Sequence, residues 1–101
     1  MASHRPAAFN VAVILFEIHL PYCQSLKAKR MQLRSIKARL AKRLNVAVAE
    51  VGCQEQWQRA QVACVSVSND RQILEKLRDQ VELIVLDNLD GELIYCDLDW
   101  L

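Results

Sequence analysis

Between Leu26 and Leu44 the chain carries Lys27, Lys29, Arg30, Arg34, Lys37, Arg39, Lys42 and Arg43, eight basic residues without one acidic residue among them. At the 100° step of a helix, Lys27, Arg30, Arg34 and Lys37 fall in one narrow stripe, where like charges repel by roughly a few tenths of a kcal/mol per pair. The chemistry open to such a stripe is neutralisation of a polyanion. Arrayed Lys and Arg displace counterions from phosphates and give affinity without reading bases. A competing account is a solvated face balanced by the rest of the molecule: Asp70 to Leu101 holds nine acidic and three basic residues, a local sum of 3 − 9 = −6 against a net charge of +1. An acidic protein surface is a third.

Other residues with chemical potential are fewer. Trp57 stands beside Gln58 and Arg59 in a polar segment and could stack on an unpaired base, although a Trp so placed more commonly anchors a loop to its own core. Glu17 and His19 lie two residues apart on one strand face, the spacing of an acid-base pair, and read better as a satisfied surface pair. Cys23, Cys53, Cys64 and Cys96 are too far apart for a CxxC-type zinc or redox motif. Cys64 and Cys96 sit among apolar neighbours and read as small hydrophobes. Asp97 and Asp99 share a strand face, but two carboxylates alone make a poor cation site. With glycine only at Gly52 and Gly91, neither a Walker loop nor a GxGxxG loop can be written. No catalytic constellation, metal site or cofactor is expected.

The elements that must position these residues are legible from periodicity. From Phe9, Ala12, Ile14, Phe16, Ile18 and Leu20 alternate with Val11, Val13, Leu15, Glu17 and His19, a central strand that Pro21 stops. Ser25 can cap a helix in which Leu26, Leu33, Ile36, Leu40 and Leu44 make one stripe. Asn45 suits a left-handed residue at its end. Val46 to Val51 and Arg59 to Val67 then read as a hairpin around the turn-like Gly52 to Gln58. Ser68, Asn69 and Asp70 offer capping for a second helix with Ile73, Leu74, Leu77, Val81 and Ile84 on its inner face, ending near Asn88. Asp90 and Gly91 turn the chain into a last strand, Glu92 to Leu101.

The order strand, helix, strand, strand, helix, strand closes as a ferredoxin-like βαββαβ sandwich of the α+β class, with a four-stranded antiparallel sheet and two helices on one face. A single domain over residues 9–101 is expected, preceded by a flexible tail at 1–8. The arrangement leaves one sheet face bare, and alternation puts Val11, Val13, Leu15, Leu93 and Tyr95 on it. Such a face usually meets a partner, so a homo-oligomer is expected with Val13, Leu15 and Tyr95 near the contact. No apolar run reaches the roughly 20 residues of a spanning helix, no signal peptide reads well, and the unpaired cysteines fit a reducing compartment. No membrane association and a cytoplasmic location are therefore expected.

SLKAKR at Ser25 to Arg30, NVAVAEV at Asn45 to Val51, WQRA at Trp57 to Ala60 and SND at Ser68 to Asp70 carry a resemblance to the YlxP-like family, small bacterial proteins of unknown function. The resemblance covers about nine-tenths of the chain. It implies a ferredoxin-like fold, in agreement with the periodicity. It also implies genes that often lie beside those for ribosome-binding factor A and a translation initiation factor, and with that a ribosomal or RNA setting. The family's hairpin loop commonly reads DHQDxWQRA; here Gly52 and Cys53 replace the acid and the histidine, while Gln54, Glu55, Trp57, Gln58 and Arg59 remain. The combined expectation is a non-enzymatic accessory factor that binds RNA or the ribosome through Lys27, Arg30, Arg34 and Lys37, with Trp57 and Arg59 contributing. The alternative is an oligomerising protein-interaction module without a nucleic-acid role.

Overall fold

The structure, a computed structural model, describes residues 8–101; the expected tail lies outside the described residues except for exposed Ala8. Six elements follow in order: β1 (Asn10–His19), α1 (Leu26–Arg43), β2 (Ala47–Gly52), β3 (Arg59–Ser68), α2 (Arg71–Asn88) and β4 (Glu92–Trp100). The strands form one antiparallel sheet in the order β2-β3-β1-β4, which is the ferredoxin-like arrangement. β1 is apolar on both faces and takes a central place, as expected of a strand flanked on both sides.

One face of the sheet presents Ala12, Ile14, Phe16 and Ile18 from β1 and Ala60, Val62 and Cys64 from β3 to the helices. Leu33, Ile36 and Leu40 of α1 and Leu74, Leu77, Val81, Ile84 and Val85 of α2 close over them. Burying a side chain of this size contributes roughly 1.5 to 3 kcal/mol, so these two stripes hold the helices to the sheet. Both helices start on side-chain caps. Ser25 Oγ accepts from the Ala28 N–H at 3.0 Å, and Asp70 Oδ1 accepts from the Gln72 N–H at 2.9 Å.

Three local expectations need correction. Leu93 does not lie on the bare face: a bulge makes Glu17 oppose Tyr95 and Ile18 oppose Leu93, so Ile94 is the extra residue and Leu93 turns inward against the core. Ile73, in the first turn of α2, is exposed, while Val85, near the other end and outside the expected stripe, is buried. Asn45 is not left-handed. α1 ends with Leu44 in extended backbone, and the Asn45 carbonyl accepts from Ser66 Oγ at 2.6 Å.

At the turn into β4 the chain runs flush against the end of β1. A Cβ on Gly91 would stand 2.1 Å from the His19 carbonyl oxygen, and backbone on both sides leaves no flexible group to give way. Gly91→Ala is therefore expected to destabilise the fold by about 1 to 3 kcal/mol through forced backbone movement, read as a lower urea midpoint with an unchanged m-value. A midpoint equal to that of the parent would contradict this packing.

Candidate functional site

The basic helix does not present all of its charge to water. Lys29 lies on the same line of α1 as Leu33, Ile36 and Leu40, and it is 0% exposed. Its Nζ donates to the Cys53 carbonyl at 2.7 Å, to the Arg59 carbonyl at 3.0 Å and, at greater length, to the Gln54 carbonyl at 3.4 Å. Glu50 Oε2 lies 3.0 Å away at an angle that makes an ion pair rather than a hydrogen bond. A buried ammonium without partners would cost several kcal/mol, and four oxygens around this one offset that cost.

Those oxygens come from both ends of the hairpin loop, Cys53 and Gln54 where it leaves β2 and Arg59 where it enters β3. One side chain thus closes the loop and ties it to α1. Cys53 adopts φ 58, the left-handed region that a residue with a Cβ enters at a cost of roughly 1 to 2 kcal/mol. Gln58 holds the other flank, donating from Nε2 to the Pro21 and Cys23 carbonyls at 3.2 Å each, and its own carbonyl accepts from the Leu20 N–H at 2.9 Å.

The other cations of α1 differ in kind. Among the described residues the ion pairs are Lys29–Glu50, Arg59–Glu17, Arg78–Asp79 and Arg78–Glu82. Lys27, Arg30, Arg34, Lys37, Arg39, Lys42 and Arg43 enter none of them, and none of the pairs bridges α1 to α2. Arg30, Arg34 and Lys37 are brought together on an open groove between α1 and β2, floored by Leu33 and Val48. Lys27 is exposed one turn before Arg30 and Met31, outside the groove.

Trp57 and Arg59 do not join that groove. Trp57 is 51% exposed and lines a shallow depression with His19, Gln56, Gln58 and Arg59. It anchors no core; Lys29 and Gln58 do that work for the loop. The Arg59 side chain lies on the open sheet face, where Nε and Nη2 donate to Glu17 Oε2 at 3.2 and 2.9 Å. The Glu17 carboxylate raises the Arg59 pKa above its usual value, first by the hydrogen bond and then by its charge. Gln61 Nε2 donates to Glu17 Oε1 at 3.0 Å and to the Tyr95 hydroxyl at 3.3 Å. Glu17 is thereby only 7% exposed and committed to Arg59 and Gln61 rather than to His19.

Across β1, β3 and β2 the rest of the open face is apolar. Val11 opposes Val67, Val13 opposes Val65, Leu15 opposes Ala63, and Val65 and Ala63 continue to Ala47 and Ala49 of β2. Val65 and Val67 are exposed, and Val13 and Leu15 are half-buried. Asp99 and Asp97 of β4 oppose Val13 and Leu15 on the other side. The four cysteines are free thiols. Burial pushes Cys64 up to about 12 and Cys96 up to about 11, so both stay protonated and inert at neutral pH. Among the described residues no cluster of His, Cys, Asp or Glu could hold a metal ion, and no helix is long and apolar enough to cross a membrane.

Removing the Lys29 ammonium while keeping its length isolates the clamp. Lys29→Met is expected to destabilise the protein by about 3 to 5 kcal/mol, because it leaves Glu50 and three carbonyls without their counter-charge. Replacing Glu50 by Leu in the same chain is expected to recover part of that loss. Denaturant melts of the single and double variants check this; an unchanged midpoint in Lys29→Met would show that the loop is held by other contacts.

"Uncharacterized protein YlxP" of Bacillus subtilis (strain 168) is 40% identical over 52 residues, which is 52% of this chain and 56% of that protein's length. The family model described as "Protein of unknown function (DUF503)" matches residues 11–98, from β1 to near the end of β4. The chain belongs to that family of small proteins of unknown function.

Proposed function

We propose that the protein is a non-enzymatic accessory factor that binds RNA or a ribonucleoprotein surface through the exposed cations of α1. One observation supports this above the others: seven basic side chains crowd a single helix with no acidic partner among the described residues. Like charges held together against their mutual repulsion are relieved when a polyanion neutralises them. Lys27, Arg30, Arg34 and Lys37 supply the phosphate contacts. Trp57, exposed beyond the hairpin, is a separate element that stacks on an unpaired base where the RNA offers one.

If about three or four phosphates are neutralised, log affinity falls against log salt with a slope of about −2 to −4. Arg30→Glu with Arg34→Glu is expected to weaken binding to every RNA sequence alike and to leave the melting curve close to the parent's, since both side chains are exposed. Trp57→Ala affects only unpaired RNA, by about 1 to 3 kcal/mol per stacked base. Fluorescence titrations of labelled RNA at two salt concentrations check this. No binding at low salt, or binding indifferent to the double reversal, sinks the reading.

A second reading rests on a different surface. The open sheet face leaves Val65 and Val67 exposed and Val13 and Leu15 half-buried, an apolar strip that runs across β1 and β3, and such strips often mark a contact with a partner. A homodimer with Val13 and Leu15 at its centre and Tyr95 at its margin would cover it. Sedimentation at high micromolar concentration is expected to show the dimer; a monomer there contradicts it.

A further inference from the structure

The two edges of the sheet are treated differently. On the β4 edge, Arg78 reaches over from α2 and donates to the Cys96 carbonyl from Nε at 3.0 Å and from Nη2 at 2.7 Å. Arg71 lies 4.1 Å above the Trp100 ring at the end of the same strand. Side chains thus cover that edge, a common defence against unwanted strand pairing. On the β2 edge, no described side chain hydrogen-bonds to the backbone of Ala47–Glu50. The groove of Arg30, Arg34 and Lys37 opens directly beside that edge, with Leu33 and Val48 as its floor. Glu50, the one acid on the groove, is already paired with Lys29.

We propose that the β2 edge takes an extended acidic polypeptide segment as a fifth strand. Its backbone pairs with β2. Side chains on the helix side lay their aliphatic stems on Leu33 and Val48 and bring carboxylates to Arg30, Arg34 and Lys37. Side chains on the other side extend the apolar face beyond Ala47 and Ala49. The partner is thus a segment in which acidic and apolar residues alternate. A second copy of this chain fits poorly: β2 against β2 would bring two cationic rims together, and β2 against β4 would meet the edge that Arg78 covers. RNA has no ladder of N–H and C=O groups to offer this strand. Arg30, Arg34 and Lys37 are also three of the four phosphate contacts of the RNA reading, so peptide and RNA compete for them, while Lys27, Arg39, Lys42 and Arg43 lie outside the groove; pairing of a strand with β2 goes beyond the RNA reading and does not require it.

The probe is a blocked peptide of alternating glutamate and valine as long as β2, titrated into the labelled protein and followed by amide resonances and hydrogen exchange. Binding is expected to shift the amides of Ala47, Val48, Ala49 and Glu50 and to protect from exchange the alternate ones among them whose N–H points away from β3. Two further peptides carry N-methyl groups, one on every glutamate and one on every valine. Strand pairing is expected to reject one of the two by at least about tenfold and to tolerate the other, because alternate N–H groups point toward and away from β2. Arg34→Glu with Lys37→Glu is expected to weaken the parent peptide by a similar factor. The proposal is overturned if none of the peptides binds, if both N-methylated peptides bind like the parent, or if an oligouridylate protects the same β2 amides. Oligouridylate shifts confined to α1 leave it standing and report separately on RNA binding.

Discussion

The ammonium of Lys29 is the constraint around which this end of the molecule is organised. It sits among the apolar residues of α1, where a charge is tolerated only if oxygens surround it, and the hairpin between β2 and β3 supplies them. The left-handed backbone at Cys53 follows from that demand, since it carries the Cys53 carbonyl to within 2.7 Å of the ammonium. From the same anchoring come the exposure of Trp57 beyond the loop, the entry of Arg59 into β3 with its side chain on the far face, and the neutralisation of Glu50 beside the α1–β2 groove. A charge that composition counts with seven others therefore does the opposite job: it builds the scaffold on which the others stand.

Charge is segregated by element, and the sheet order turns that segregation into two dissimilar edges. β2 lies beside α1, which carries eight basic and no acidic residues, and β4 beside α2, where four acids and three bases nearly balance while β4 itself adds Glu92, Asp97 and Asp99. On the acidic side Arg78 ties together Asp79, Glu82 and the Cys96 carbonyl, so acids, a cation and the strand edge satisfy one another. On the basic side there is no such closure. The seven outer cations lack acidic partners among the described residues and the neighbouring strand lacks a cover, so unsatisfied charge and unsatisfied backbone coincide on one side of the molecule. Our binding proposals rest on that coincidence. Cys64 and Cys96 pack in the core, and the Glu17 carboxylate is held by Arg59 and Gln61.

Features fixed by near neighbours in sequence were legible there. The caps at Ser25 and Asp70, the alternation of β1 and the stripe of Leu33, Ile36 and Leu40 all depend on residues within a turn or two. Features fixed across the fold were not. Leu93 turns inward because a bulge at Ile94 resets the pairing with β1. Arg59 leaves the helix cations because Glu17, 42 residues earlier, claims it. Lys29 is the instructive case: its partners lie 24 to 30 residues away, but its position on the line of Leu33, Ile36 and Leu40 was visible. A lysine on an otherwise apolar helical line is a signal of a buried, compensated charge, but Arg43 continues the same line and is exposed, so it is the hairpin's carbonyls and not spacing alone that set Lys29 apart. Cys53, in left-handed backbone, is where the compensating carbonyls begin.

The central claim is that the outer cations of α1 are held free for a polyanionic partner. Its most direct test is capture from the protein's own cell extract by the tagged chain, with and without ribonuclease, in the parent and in a chain with Arg30 and Arg34 both changed to Glu. The account predicts that RNA is retained by the parent, lost on ribonuclease treatment and absent from the double variant. Capture of the same material regardless of ribonuclease and of the two reversals would contradict it.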